Sequence, residues 1–167
     1  MRMHWYLIHT KPRQELRALE NLERQGYECY LPLLPTEKIQ QKLVAVVDEP
    51  LFPRYLFIRL DSSQSGKSWT PIRSTLGVSK LVTFGMEPAK VDHALIEFLR
   101  ASEAKFSEQP QRLFDVGDRV LVTDGPFTGI EAIYQMSNGE GRVMVLIELL
   151  SKPVKVVMAP QSLKKVS

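Results

Sequence analysis

Read by the spacing of its apolar positions, the chain has two textures. Residues 5–10 (WYLIHT) predict a short strand running towards a helix start. Leu16, Ala18, Leu19 and Leu22 then recur at helical spacing, with Pro12 suited to the first turn and Gly26 to the stop. Residues 27–39 read as extended, and Pro32 and Pro35 argue for an edge or an irregular path. A short β-branched run follows at 43–47. Residues 54–60 are the clearest strand, in which Leu56, Ile58 and Leu60 alternate with Tyr55, Phe57 and Arg59. Residues 62–70 are Ser-rich and read as loop, 70–76 as a short helix and 79–85 as a further strand. Asp92 caps a helix carrying Leu95, Ile96, Phe98 and Leu99. This order predicts an α+β fold: an N-terminal α/β sandwich with helices on one face of a mainly antiparallel sheet.

The second texture starts after a polar stretch at 104–113 with Gln-Pro-Gln near its centre, which reads as a linker. Beyond it come the short runs RVLVT, GIEAIY, RVMVLIELL and VKVVM. Gly125, Pro126, Gly129, Asn138, Gly139, Gly141 and Pro153 punctuate them. Regular strands of about five residues predict a small β-barrel. Within it Val143–Leu150 is apolar on nearly every side, a pattern that suits a buried strand or a helix. Pro153 and the β-branched content favour the barrel. The expected organisation is therefore 1–103 as one domain, 104–113 as linker and 114–167 as a second, small domain. No internal repeat or low-complexity segment interrupts it.

Composition narrows the class. Of 167 residues, 44% are apolar and 25% charged, enough to form a core without staples. Cys29 is the only cysteine, so no intrachain disulfide can form. The N-terminus lacks the basic-then-apolar pattern of a signal peptide. No apolar run approaches the roughly 20 residues of a membrane helix. The expected setting is the cytoplasm, without a membrane partner. The net charge of +3 is mild. Residues 114–167 hold six acids and six bases, so the excess lies entirely in 1–113, the better candidate to meet phosphate.

Catalytic patterns are missing. His4, His9 and His93 stand in no cluster with metal-ligand spacing, and there is no Gly-rich phosphate loop or nucleophile elbow. Cys29, in an apolar stretch, reads as a structural thiol. The expectation is a protein that is not an enzyme, with no metal and no cofactor.

Three constellations carry more. Arg13, Arg17, Asn21 and Arg24 fall three and four apart, forming one stripe away from the leucines, with Lys11 and Gln14 at its start. The stripe is either a solvated face with internal ion pairs to Glu15, Glu20 and Glu23, or a strip that meets a nucleic-acid strand. In the second case cations would contact phosphates while Gln14 and Asn21 face bases. The segment from Glu49 to Phe57 (EPLFPRYLF) places Tyr55 and Phe57 on the sheet face opposite Leu56 and Ile58, and Leu7 and His9 fall beside them if the first strand is adjacent. Such an aromatic face marks a partner site, unless the C-terminal domain or a loop covers it. Finally, Val116–Gly129 is a strand entering a Gly-Pro turn.

That last segment, extended as VGDRVLVTDGPFTGIEAIY, resembles the KOW motif of NusG-type factors and some ribosomal proteins. WYLIHTKPRQELRALENLERQG, EPLFPRYLFIRLD and LGVSKLVTFG resemble the N-terminal (NGN) domain of the same family, and the four stand in order over nearly the whole chain. EKI followed by EPLFP is similar to the specialised RfaH-like branch. The resemblance implies a transcription elongation and antitermination factor. Its N-terminal domain would dock on the coiled-coil clamp helices of the largest RNA polymerase subunit through Leu7, His9, Phe52, Pro53, Tyr55, Phe57, Phe84, Ile96 and Leu99. His9 replaces an aromatic of the close paralogue. In the RfaH-like branch Lys11, Gln14, Arg17 and Asn21 match the face that reads the non-template DNA strand, and Arg13 joins them from the stripe. Asn21 stands where the paralogue has histidine, and Leu76 where the family has arginine.

The branch also implies a C-terminal domain that rests as an α-helical hairpin over the polymerase site. An interdomain ion pair, here Glu49 with Arg142, would steady it. On release the domain becomes an SH3-like barrel that recruits the ribosome through a small-subunit protein. The protein would act as a monomer. Two other readings stay open: a general NusG-like factor with freely tethered domains and no DNA-element specificity, and a KOW-type RNA- or ribosome-binding protein. The second expects a basic C-terminal domain, whereas this one is neutral.

Overall fold

A strand that is apolar on both sides needs cover on both sides, and β1 (Met3–Thr10) is such a strand: Trp5, Tyr6, Leu7 and Ile8 are all buried. The computed structural model, which describes residues 3–62, 69–106, 133–134, 136 and 138–151, places β1 inside an antiparallel sheet. The strand order is β2 (Glu28–Tyr30), β5 (Tyr55–Asp61), β1 and β6 (Val78–Leu81), and β9 (Lys90–Val91) also pairs β1. The β1–β5 register sets Leu7 opposite Phe57, Ile8 opposite Leu56 and His9 opposite Tyr55.

On one face Tyr6, Ile8, Leu56, Ile58 and Leu60 pack with Ala18 and Leu22 of α1 (Glu15–Arg24) and Ile72 of α2 (Thr70–Arg73). On the other, Trp5, Leu7 and Phe57 pack with Leu95, Ile96 and Leu99 of α3 (His93–Phe106). Helices therefore cover both faces, not one as the element order suggested. The alternation in β5 runs between two apolar sets, and a one-sided layer would have left Leu7 and Phe57 wet.

The punctuation behaves as local chemistry requires. Gly26, at φ 94°, ends α1 with paired bonds from the Gly26 N–H to the Glu23 carbonyl and from the Tyr27 N–H to the Leu22 carbonyl. Asp92 caps α3, its Oδ1 accepting the Ala94 N–H at 2.9 Å. Pro12, expected in the first helical turn, lies before it instead, because Arg13 is left-handed at φ 61° and α1 starts only at Glu15. Leu16, expected on the buried side, is 59% exposed. The strand expected at 79–85 is split into β6 and β7 (Thr83–Phe84), the latter pairing β8 (Glu87–Pro88).

The extended 27–39 segment and the 43–47 run form a feature that their pattern did not announce: a long hairpin of β3 (Leu33–Gln40) and β4 (Leu43–Pro50). Its two-residue turn, Gln41–Lys42, has φ 53° and 69°. Two positive φ values in a two-residue hairpin loop are the type I′ signature, which favours Asn-Gly. Replacing Gln41-Lys42 by Asn-Gly is expected to stabilise the hairpin by about 0.5–1 kcal/mol, read as slower amide exchange at Ala45 and Val47. Unchanged exchange would show that the turn carries no such strain.

The C-terminal run is open to strand or helix by its pattern, and the structure takes the helix. Residues of RVMVLIELL, which suit a barrel strand or a helix, lie in helix α4 (Gly139–Ser151). Asn138, read as turn punctuation, is its N-cap: Oδ1 accepts the Glu140 N–H at 2.9 Å. Val143, Val145 and Ile147 are poor helix formers, so α4 depends on the surface it packs against. α3 extends through residues 104–106, into the expected linker. The remaining linker, the other barrel runs and the KOW-like segment, apart from Ile133 and Tyr134, lie outside the described residues.

Candidate functional site

The sheet brings the expected apolar residues together and then seals them. Leu7, Phe57, Phe52, Ile96 and Leu99 are fully buried in one cluster, and Tyr55 and Phe84 pack against it half-buried. Pro53 and His9 are also half-buried. The same cluster includes Ile133, Tyr134 and Leu146 from the C-terminal segment, with Val143, Val145, Ile147, Leu149 and Leu150 packed around it. Of the two outcomes left open for the aromatic face, exposed or covered, the structure shows the covered one: the C-terminal segment packs over it. The Tyr134 hydroxyl donates to the Leu99 carbonyl at 3.4 Å, and burial holds that phenol well above its ordinary range. At one margin, Arg100 lies over the rings of both Trp5 and Tyr30, while the Tyr30 hydroxyl donates to Glu103 Oε1 at 2.6 Å.

Arg142 fastens the helix. It is 4% exposed, and its Nε donates to the Leu51 carbonyl at 2.7 Å while a terminal nitrogen donates to the Met136 carbonyl at 2.6 Å. The expected ion pair with Glu49 is not a direct contact among the described residues, since Glu49 pairs with Lys38 at 3.0 Å. Burial lowers the Arg142 pKa, and the Glu49 charge acts against that shift from a distance. Two backbone carbonyls engage two of the five guanidinium N–H donors, in place of a contacting carboxylate. Gly139 allows the helix start to close up: a Cβ there would stand 2.6 Å from Pro53 Cγ.

The polar stripe takes a different form from that expected. Lys11 and Arg13 lie in the turn before α1, and Arg17 on its first turns; all three are exposed. Gln14 is the N-cap position and half-buried, with no side-chain capping bond. The Asn21 amide is occupied within the helix, donating to the Arg17 carbonyl at 2.7 Å and accepting from Arg24 at 3.0 Å. Lys11, Arg13 and Arg17 have no ion pair among the described residues, so the internal pairs with Glu15, Glu20 and Glu23 do not form. Glu15 is instead buried and accepts the Arg54 backbone N–H at 2.9 Å.

Two cations escaped the pattern reading, Arg54 and Lys80. Phe52–Tyr55 is a turn closed by the Tyr55 N–H on the Phe52 carbonyl, with Pro53 second and Arg54 third at φ 73°. That is a type II turn with arginine where glycine is favoured; the missed signal was Pro-Arg in place of Pro-Gly. His9 sits between Tyr55, its β5 partner, and Lys80, its β6 partner. Its ring lies 5.0 Å from that of Tyr55, and its buried Nδ1 has no hydrogen-bond partner among the described residues. Burial, then Arg54 and Lys80, lower its pKa. Elsewhere, burial pushes the Cys29 thiol up to about 12, which removes the thiolate a nucleophile would need. Among the described residues no group of His, Cys, Asp and Glu could hold a metal ion, and no helix is long and apolar enough to cross a membrane.

Comparison with known proteins agrees with the N-terminal architecture. Residues 3–100 match the family described as transcription termination factor nusG. The transcription termination/antitermination protein NusG of Thermus thermophilus is 30% identical over 93% of this chain and 95% of its own. The protein of that description from Streptomyces coelicolor is 26% identical over 96% of this chain, which spans 62% of that longer relative. A relative from Rickettsia bellii, also so described, is 23% identical over 96% of this chain and 89% of its own.

Proposed function

Since the chain belongs to the NusG family of transcription termination and antitermination factors, we propose that it acts on RNA polymerase through the sheet face bearing Leu7, Phe52, Pro53, Tyr55, Phe57, Phe84, Ile96 and Leu99, with His9 at its end. In this reading the face docks on the coiled-coil clamp helices of the largest subunit and is closed at rest by α4. The observation that carries it is the coincidence of two surfaces: the residues assigned to docking, Pro53 and His9 apart, belong to the apolar cluster that Ile133, Tyr134 and Leu146 complete. A helix with three β-branched interior residues and two glycines is a weakly self-sufficient cover, so it suits release better than permanent core. This supports the RfaH-like specialisation, in which Lys11, Arg13, Gln14, Arg17 and Asn21 meet the non-template DNA strand and recruit the closed protein. After release, the C-terminal domain would reach a small-subunit ribosomal protein.

The competing reading is a general factor whose face is always available, and the shared description of the relatives favours it. Capture on immobilised RNA polymerase separates the two, using the full chain. Leu146→Glu places a charge in the buried seam and should raise capture at least about tenfold, the effect of removing roughly 1.4 kcal/mol of closure. Adding Tyr55→Ala and Phe84→Ala, both half-buried, should abolish the gain. Equal capture by the unaltered chain and Leu146→Glu would overturn the closed state. Capture that survives loss of both rings would overturn the docking face.

A further inference from the structure

Three cations elsewhere among the described residues sit beside an acid: Lys38 beside Glu49, Arg59 beside Glu28 and Arg100 beside Glu97. At one end of the sheet several cations gather without such a pair. The side chains of Arg54 and Lys80 form no ion pair among the described residues, like those of Lys11, Arg13 and Arg17 nearby; the Glu15 carboxylate takes the Arg54 backbone N–H at 2.9 Å, not its guanidinium. Topology puts them in a continuous belt. Lys80 and His9 are register partners and so share the sheet face that carries Leu7 and Phe57. Arg54 lies at the strand end beside them, bonded through its backbone carbonyl to the Thr10 N–H at 2.8 Å and through Nε to the Thr10 carbonyl at 3.2 Å. Lys11 follows Thr10, and the chain then turns through Arg13 into α1 on the opposite face. The belt thus wraps around the sheet end.

Arg54 is the informative member. Its left-handed φ of 73° costs an L-residue roughly 1–2 kcal/mol that glycine would avoid, so the turn itself does not call for arginine. Among the described residues only the Nε of its guanidinium is bonded, to Thr10, which leaves the two terminal nitrogens for a ligand. Beside it, the His9 Nδ1 is a buried polar atom still unsatisfied. Five cations gathered around the single carboxylate of Glu15 still repel one another, and a chain of phosphates relieves that repulsion along its whole length.

We propose that Arg54 and Lys80 each hold one backbone phosphate of a single DNA strand, extending the path from α1 around the sheet end to the margin of the α4-covered face. The proposal rests on the reading of α1 as a nucleic-acid face, and it adds a second, separately testable site. Sequence preference would come from α1, while Arg54 and Lys80 supply affinity without base choice.

The test is binding of a short mixed-sequence single-stranded DNA oligonucleotide to the full chain across a salt series. The slope of log affinity against log salt should fall by about 0.7 for each phosphate that is no longer engaged. Arg54→Gly, which keeps the turn and relieves its strain, should lower the slope by about 0.7, and Arg54→Gly with Lys80→Ala by about 1.4. Arg59→Ala, a cation paired elsewhere, should leave the slope unchanged. A slope unaltered by the Arg54/Lys80 pair but reduced by Arg17→Ala would overturn this site and spare the α1 reading. Reduction by the pair alone would support the site and remove α1. If the unaltered chain shows no salt-dependent binding, both fall.

Discussion

Replacing Arg142 by Ala is expected to speed amide exchange throughout α4 by roughly a hundredfold while leaving the central sheet protected. The side chain is buried and satisfies the Leu51 and Met136 carbonyls at once. Truncation strands both acceptors in an apolar seam. A buried acceptor without a partner costs about 1–3 kcal/mol, and opening restores it to water. Burying a guanidinium is itself unfavourable, as its lowered pKa shows, and the variant recovers that cost. A net of about 3 kcal/mol towards opening corresponds to about two decades in exchange. Arg142→Met separates the causes, because it keeps the aliphatic volume and removes both hydrogen bonds. If the Arg142→Met chain protected α4 as well as the unaltered chain does, packing of Leu146 and its neighbours would be holding the helix, and Arg142 would be no latch. Amides of Ile8 and Leu56 report whether the sheet has been disturbed in either variant.

Much of the N-terminal architecture was legible because its signals are local. β1 and β5 announce themselves by alternation, Gly26 and Asp92 by the needs of helix ends, and the pairing of Leu7 with Phe57 follows once the strands are neighbours. Three features were illegible for the same physical reason in reverse. The β3–β4 hairpin turns on Gln41–Lys42, which lacks the residues that usually mark a positive-φ turn. α2 and α3 fall on opposite faces, and periodicity within a helix cannot say which face of a sheet it will choose. α4 is the clearest case, since Val143–Leu150 is apolar on nearly every side and satisfies either period. Only the tertiary partner, the face around Phe57, decides for the helix. At the candidate site the stripe from Lys11 to Arg17 was visible as spacing. Arg54 and Lys80 were not, because they join it through strand pairing and a turn.

Gly77→Ala is expected to destabilise the N-terminal fold by about 3 kcal/mol or more, a fall in Tm on the order of 10 °C. Gly77 holds φ 91°, and a Cβ there would meet the backbone of α1, 2.7 Å from Ala18 N and 3.0 Å from Ala18 Cα. Neither atom can swing aside as a flexible side chain would. The left-handed φ adds roughly 1–2 kcal/mol, and overpacking adds about 1–3 kcal/mol. The turn cannot simply retreat, because it is tied at both ends. The Lys11 N–H donates to the Gly77 carbonyl at 2.9 Å, and Gln25 Nε2 donates to Thr75 Oγ1 at 2.7 Å. Relief would therefore move the start of α1, and Lys11 and Arg17 with it. Gly85→Ala is the matched control, with φ 67° but nothing within 4 Å of the added carbon, so it should show the backbone strain alone, about 1–2 kcal/mol. Thermal unfolding of the two variants then isolates the cost of the close approach, and equal losses would mean that α1 does not depend on a bare backbone at Gly77 for its seat on the sheet.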